Sequence, residues 1–381
     1  MSPQQPHQPR TAGATGPFGP DTGREAGHGA PVIHGVPTAV AAFVGDARSL
    51  PEKPAYVRHP QEFIEAFSTR GTDDEALSHV HDAVLGHFRN GGGGAWLLGT
   101  AGGGDRVAAY RAALARLEKL VEVTLVVTPD LWRVESDAHA IARAVAEHCG
   151  RLGNRVALLH TRQGIAPADV RRPFELAEPE AQFVAVHYPW ITVTAADGTE
   201  RLVPPSGHAS GLCCRVDIER GVHTAPVGAL VGVVKQEWEM SADERETIND
   251  LGVNCLRFVP GRGIRVTGAR TLSTEPDWAD LGVRRLVNHA RASLAQGTRW
   301  AAFETDTAQL RALVRQSAVT FLRGLWRRGA LRGGSAAEAF EVVCEKGTAG
   351  GRLALGIGLA AVRPAEFITF RIEHPAENRV P

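Results

Sequence analysis

The period of the apolar positions changes along the chain, and each change predicts a different kind of element. Residues 36–44 form a nearly continuous apolar run closed by Gly45, the pattern of a buried strand. After a Pro-punctuated loop at 51–60, Leu77, Val80, Val84 and Phe88 recur at helical spacing and predict a helix over about 74–88. From 95 to 190 short apolar runs alternate with helical text. Strands are expected at 95–99, 121–130, 155–160 and 182–190, and helices at 106–120 and 137–151. Apolar strands separated by helices indicate βαβ units around a parallel sheet covered on both faces.

The last third has another rhythm. Ser241 and Glu244 form a capping box for a short helix stopped by Gly252, and a strand follows at 253–259. A helix is expected at 280–295, a strand at 299–304, and a long helix capped by Asp306 and closed by Gly329. Three strands finish the pattern, at 339–345, 352–362 and 366–372. The fold class is therefore α/β, of the α+β kind, with a βαβ-type middle.

Composition narrows the class. Of 381 residues, 43% are hydrophobic and 22% charged, values ordinary for a globular protein with sizeable cores. Lys+Arg and Asp+Glu are both 42, a balance that argues against a nucleic-acid partner. No run approaches the roughly 18 apolar residues of a membrane span, and MSPQQPHQPR has no apolar signal core. Residues 1–30 are rich in Gly, Pro, Gln and Thr, with Phe18 the one large apolar side chain, so a disordered arm is expected. The five cysteines, at 149, 213, 214, 255 and 344, include no CxxC pair and fit reduced core thiols rather than disulfides or zinc.

Candidate chemistry is sparse. GGGGAWLLGTAGGGDRVAAY sets a glycine-rich turn between a strand and a helix, but Gly99, Gly102 and Gly104 give GxxGxG without the dinucleotide or GK[ST] spacing. GRGIRVTG (261–268) fails the same test and reads as a loop or hairpin. Asp130, His160 and His187 lie at strand ends, where open α/β sheets bind ligands. A nucleotide-binding enzyme using residues 99–105, Asp130 and His160 is the alternative from another class. His79, His81 and His87 share a helix without HExxH spacing and are expected to be solvated. The stretch RLVPPSGHASGLCCRVD (201–217) is crowded with nucleophiles. Read as extended, it puts Ser206, His208 and Ser210 on one face and Cys213 and Cys214 on opposite faces, one of them toward the core. Arg311, Arg315, Arg323, Arg327 and Arg328 follow Asp306 along one helix with no acid among them, an electropositive stripe suited to an acidic partner.

From Tyr188 onward the chain resembles the contractile tail sheath family of phages, pyocins and contractile injection systems. HYPWITV, LVPPSGHASGL, DIERGVHTAPVG, INDLGVNCLRFVPGRGIRVTGARTLS, VRRLVNHARASLAQGTRWAAFE, VTFLRGLWRRGAL and RPAEFITFRI carry the resemblance, with GVPTAVAAFVG (35–45) and HFRNGGGGAWLL before them. It implies a structural subunit and no enzyme, with no catalytic residue, cofactor or metal. Such subunits stack as hexameric rings around an inner tube and contract to drive it through a target envelope. The implied partners are copies of itself or a homologous sheath subunit, the inner tube protein, and baseplate and cap proteins. Assembly in the cytoplasm, as part of a particle later released, is implied too.

The resemblance implies a polymerising domain from 31–50 and 200–381 and an inserted outer domain at 51–199. Terminal strands would link neighbouring subunits by β-augmentation. Phe367, Thr369 and Arg371 alternate with Ile368, Phe370 and Ile372, so one face of this strand is wholly apolar and expected to want a partner. The arginine stripe would face the inner tube. The family's usual strand-forming N-terminal segment has no counterpart before Val32, and the loop after Cys344 is short. A specialised, non-contracting paralogue at the baseplate or cap is thus a second form of the reading. On the same resemblance, 201–217 is a junction where the chain returns to the polymerising domain.

Overall fold

The structure, a computed structural model, describes residues 30–67, 78–100, 104–195, 198–347, 351–363 and 366–375. The disordered arm expected at 1–30, the start of the helix at 74–77 and Gly102 fall outside the described residues, Ala30 excepted.

The chain opens with β1 (Ala41–Gly45), β2 (Ala55–Val57), α1 (Pro60–Phe67), α2 (Val80–Arg89) and β3 (Ala95–Gly99). Next come α3 (Arg106–Leu117), β4 (Leu125–Val127), α4 (Glu135–Leu152), β5 (Val156–His160), α5 (Glu178–Ala181) and β6 (Val184–Tyr188). There follow β7 (Ile191–Thr194), β8 (Glu200–Val203), α6 (Ser206–Arg220), β9 (Gly228–Ala229), β10 (Val233–Gln236) and α7 (Ala242–Asp250). The remainder is β11 (Val253–Val259), β12 (Gly263–Val266), α8 (Leu281–Gly297), α9 (Ala308–Arg327), α10 (Ala336–Ala339), β13 (Phe340–Glu345), β14 (Gly351–Arg363) and β15 (Glu366–Pro375).

Nine strands make one sheet in the order β2-β3-β1-β4-β5-β6-β11-β12-β9. The run from β3 to β11 is parallel throughout, as the alternation of apolar strands and helices predicts. Every residue of β1, β5 and β6 is buried, which explains why these strands read as continuous apolar runs. Ala42 and Val44 join the core beneath α3 and α4, while Ala41 and Phe43 point the other way into the core beneath α2 and α6. The sheet draws strands from both sides of residues 50 and 200, since β1 lies between β3 and β4 and β11 pairs with β6.

After residue 272 the chain builds a second core, in which α8 and α9 lie over the antiparallel sheet β13-β14-β15. A small sheet, β10-β7-β8, packs its apolar face over Leu212 and Val216 of α6. Buried Arg284 joins the two larger units. Its guanidinium lies 4.0 Å from the Trp278 ring and 4.6 Å from Phe183, and donates to Gln182 and Asn288.

Four expectations are corrected. Residues 299–303 form a 3₁₀ helix rather than a strand, a turn that continues the exit from α8 and buries Ala301 and Ala302. Thr307, not Asp306, caps α9 by accepting from the Leu310 amide, because Asp306 is paired with Arg311. Residues 206–220 are helix α6 rather than an extended segment, and both Cys213 and Cys214 are buried. His87 is buried, not solvated, with its ring edge-on to Phe43.

Candidate assembly surfaces

The carboxyl edge of the large sheet is where a ligand would bind, and the chain itself fills it. Asp130, wholly buried, accepts from the amides of Asp46 (2.8 Å) and His79 (2.7 Å) and from the Ser78 hydroxyl (3.0 Å). Asp46 in turn binds Arg106 (2.7 Å) and Thr100 (2.9 Å), and Arg106 also donates to the Asp130 carbonyl. Burial pushes the Asp130 carboxyl up despite these donors. His160 binds Ser206 Oγ at 3.1 Å beneath Trp190, and among the described residues His187 reaches the Leu159 carbonyl alone. None of these bonds joins Asp130, His160 and His187 to one another. Asp105 caps α3, so the glycine turn ends in an ordinary helix start. Among the described residues there is no metal-binding group of His, Cys, Asp and Glu.

Residues 201–217 likewise lose their resemblance to an active site. Ser210 Oγ donates to the Gly207 carbonyl and meets His87 Nδ1 at 2.8 Å. Burial pushes the thiol of Cys213 up to about 11 and that of Cys214 up to about 12, leaving no thiolate near neutrality. The stretch instead builds a helix contact. A Cβ at Gly207 would lie 2.4 Å from the backbone of Ala83, and one at Gly211 would lie 2.2 Å from the His87 carbonyl. The two glycines, four apart on α6, let α2 approach to backbone contact. Small-xxx-small spacing is the signal that marks such a contact in a sequence, and apolar periodicity passes over it.

Two surfaces of the C-terminal unit remain open. In the sheet β13-β14-β15, β15 is an edge strand and, among the described residues, pairs with β14 alone. Ile368 and Ile372 are buried in the second core, Phe370 is half-buried against it, and Thr369 and Arg371 are exposed. Phe367 is half-buried over Gly358, where β14 has no side chain in its way. The apolar face is thus already covered by α8 and its neighbours, and what has no strand beside it among the described residues is the outer edge of residues 367–372. At the opposite edge, Arg315 Nε donates to the Val342 carbonyl of β13 (3.2 Å). The arginine stripe is correspondingly shorter. Arg311 is paired with Asp306 and Arg315 with β13, leaving Arg323, Arg327 and Arg328 exposed without an ion pair to a described residue.

Residues 103–272 match the phage tail sheath protein central domain, and residues 273–374 match the phage tail sheath C-terminal domain. The chain belongs to the tail sheath family. A prophage major tail sheath protein of Pseudomonas aeruginosa (strain UCBPP-PA14) is 26% identical over 184 residues, 47% of this chain and 48% of that one. Another match, the tail sheath protein of Enterobacteria phage T4, is covered over 22% of its length, so the chain spans less than half of the curated relatives it matches. Similarity to solved structures is more extensive. A chain of the anti-feeding prophage helical sheath in its contracted state shares 27% identity at a TM-score of 0.74, covering 91% of this chain and 96% of that one. A chain of the anti-feeding prophage baseplate shares 26% identity at 0.73, covering 94% and 98%. The matched sheath domains meet at residue 272, where the chain leaves the large sheet for the second core.

Proposed function

We propose that this chain is a structural subunit of a contractile sheath, working by assembly and not by catalysis. Stacked rings of it would surround an inner tube and contract to drive that tube through an envelope. The observation that carries the reading is the open edge of β15, which offers a neighbouring copy or homologous subunit a strand to pair with. In this reading 31–50 and 200–381 polymerise and 51–199 faces outward, with the shared sheet coupling the two. Assembly takes place in the cytoplasm and the finished particle acts outside. Similarity to the anti-feeding prophage baseplate chain favours a second form, in which the subunit sits beside baseplate proteins rather than along the cylinder.

Because Ile368 and Ile372 belong to the core, removing β15 would damage the fold itself. A proline scan over Thr369, Phe370 and Arg371 tests the edge instead, since alternate positions of an edge strand direct their N–H groups outward. Negative-stain microscopy of the purified chain, alone and with a sheath homologue, should show striated tubes or rings. A proline variant that keeps its thermal midpoint should remain as small particles. If the wild-type chain stays small under both conditions, or such a proline variant polymerises normally, the reading is wrong.

Arg323, Arg327 and Arg328 would face an acidic inner tube. Arg323→Glu with Arg327→Glu should preserve ring formation and lower retention of the tube protein at least tenfold in co-sedimentation at low salt. Unchanged retention would remove the tube from this surface.

A further inference from the structure

Five histidines gather where α2 and α6 cover the carboxyl ends of β5 and β6. His87, His160, His187 and His208 are buried, and His79 is partly so at the N-terminus of α2. The Trp190 ring stands edge-on to both His79 (5.0 Å) and His160 (5.7 Å). His87 binds Ser210, His160 binds Ser206, and His208 lies where a Cβ on Gly86 would meet its ring. His79 Nδ1, His87 Nε2, His160 Nε2 and His208 Nδ1 are buried without a hydrogen-bond partner.

The charges around them do not compensate. His79 faces Asp82 of its own helix, whose carboxylate is taken by Arg201 of β8 (3.1 Å), and it also faces Arg133. Asp130 is bound to the backbone beside His79, not to its ring. Among the described residues, the charged neighbours that act on His160 are His79 and His187, and His208 faces Arg89 of α2. No carboxylate bonds any of the five rings in the hydrogen bonds among described residues.

We propose that this histidine layer is an acid-labile latch: proton uptake by the imidazoles releases α2 and α6 from the large sheet while the unit containing β13, β14 and β15 stays folded. An imidazolium at His87, His160, His187 or His208 would be buried with no carboxylate bonded to it, and the glycine contacts of α2 and α6 set backbone and ring atoms tightly around His87 and His208.

The sign follows from burial, which lowers His79, His87, His187 and His208 to about 4 and also pushes His160 well down, against about 6.5 for an exposed imidazole. Above pH 6.5 the rings are neutral in the open and closed states, and the latch is fully stable. As pH falls from 6.5 toward 4 the open state binds protons first, and each ring multiplies the open population by up to about tenfold per pH unit. The C-terminal unit carries a lighter load, His289 and His374. The latch stands apart from the assembly reading and is tested on the free subunit.

Hydrogen exchange of the full chain at pH 7 and pH 5, corrected for intrinsic rates, should show at least a hundredfold loss of protection over 79–90 and 206–220, with 353–362 retaining theirs. Uniform loss, or none, overturns the proposal. In His208→Leu, which removes one of the orphaned rings, proton uptake on unfolding should fall by about one between pH 4.5 and 6. That number is read from the slope of urea-derived stability against pH. A slope equal to that of the wild type counts against the latch whatever the variant's absolute stability.

Discussion

Gly211→Ala is expected to destabilise the protein by about 2–3 kcal/mol, while Gly150→Ala should stabilise it by up to about 1 kcal/mol. Both glycines lie within helices, α6 and α4, and alanine has the better helix propensity at each. They differ in what a Cβ meets. At Gly150 the nearest atom is 3.6 Å away, an ordinary contact. At Gly211 the His87 carbonyl is 2.2 Å away and Asn90 Cβ is 2.8 Å away. That carbonyl cannot yield cheaply, since it accepts the Gly92 amide that turns the chain after α2. Asn90 is fixed as well, because its side chain donates to the Gly86 and Val231 carbonyls and accepts the Val231 amide. The overlap must therefore push α6 away from α2, and Cys213, Cys214 and Leu212 follow it out of their cores. Urea midpoints of the two variants should move in opposite directions. Shifts of the same sign would mean that the helices adjust freely, and the close contact would then have no energetic meaning.

This contact also shows where sequence reading loses its grip. Strands β1, β5 and β6 were legible because parallel strands buried on both faces leave unbroken apolar text. Helix α7 was legible through its capping box, Ser241 with Glu244, and the start expected for α8 at Asp280 is where that side chain caps the helix by accepting from the Val283 amide. Helix α6 was not legible, because it is buried nearly all round from Ser206 to Cys214, and the small and polar residues Gly207, His208, Ser210 and Gly211 blur the apolar spacing of Ala209, Leu212, Cys213 and Val216. Residues 299–303 were misread for another reason: an apolar run of four residues, Trp300 to Phe303, has the same composition in a strand and in a tight helical turn. At β15 the alternation of Phe367 through Ile372 identified the strand, but not which of its sides was spare. Covering of the face and exposure of the edge depend on strand order, a long-range property that β13 and β14 decide.

Asp217→Ala should cost about 3–5 kcal/mol, the range for stranding one member of a buried ion pair. Asp217 on α6 and Arg285 on α8 meet through two bonds, 2.9 and 2.6 Å, with side-chain exposures of only 4% and 3%. Arg285 also donates to the Thr38 carbonyl, which ties the segment leading into β1 to both helices. Removing the carboxylate leaves a guanidinium in an apolar setting beside two buried thiols, with a backbone carbonyl as its remaining acceptor. An exposed pair such as Lys235–Glu200 offers the contrast, since solvent screening holds its contribution to at most about 1 kcal/mol. Replacing both buried partners, as in Asp217→Leu with Arg285→Met, should recover most of the loss, because no unpaired charge remains. A double-mutant cycle from urea unfolding at neutral pH reads the coupling directly. If Asp217→Ala alone costs less than about 1 kcal/mol, the pair is solvated in the working protein. The joint of α6, α8 and the lead into β1 would then rest on apolar packing alone.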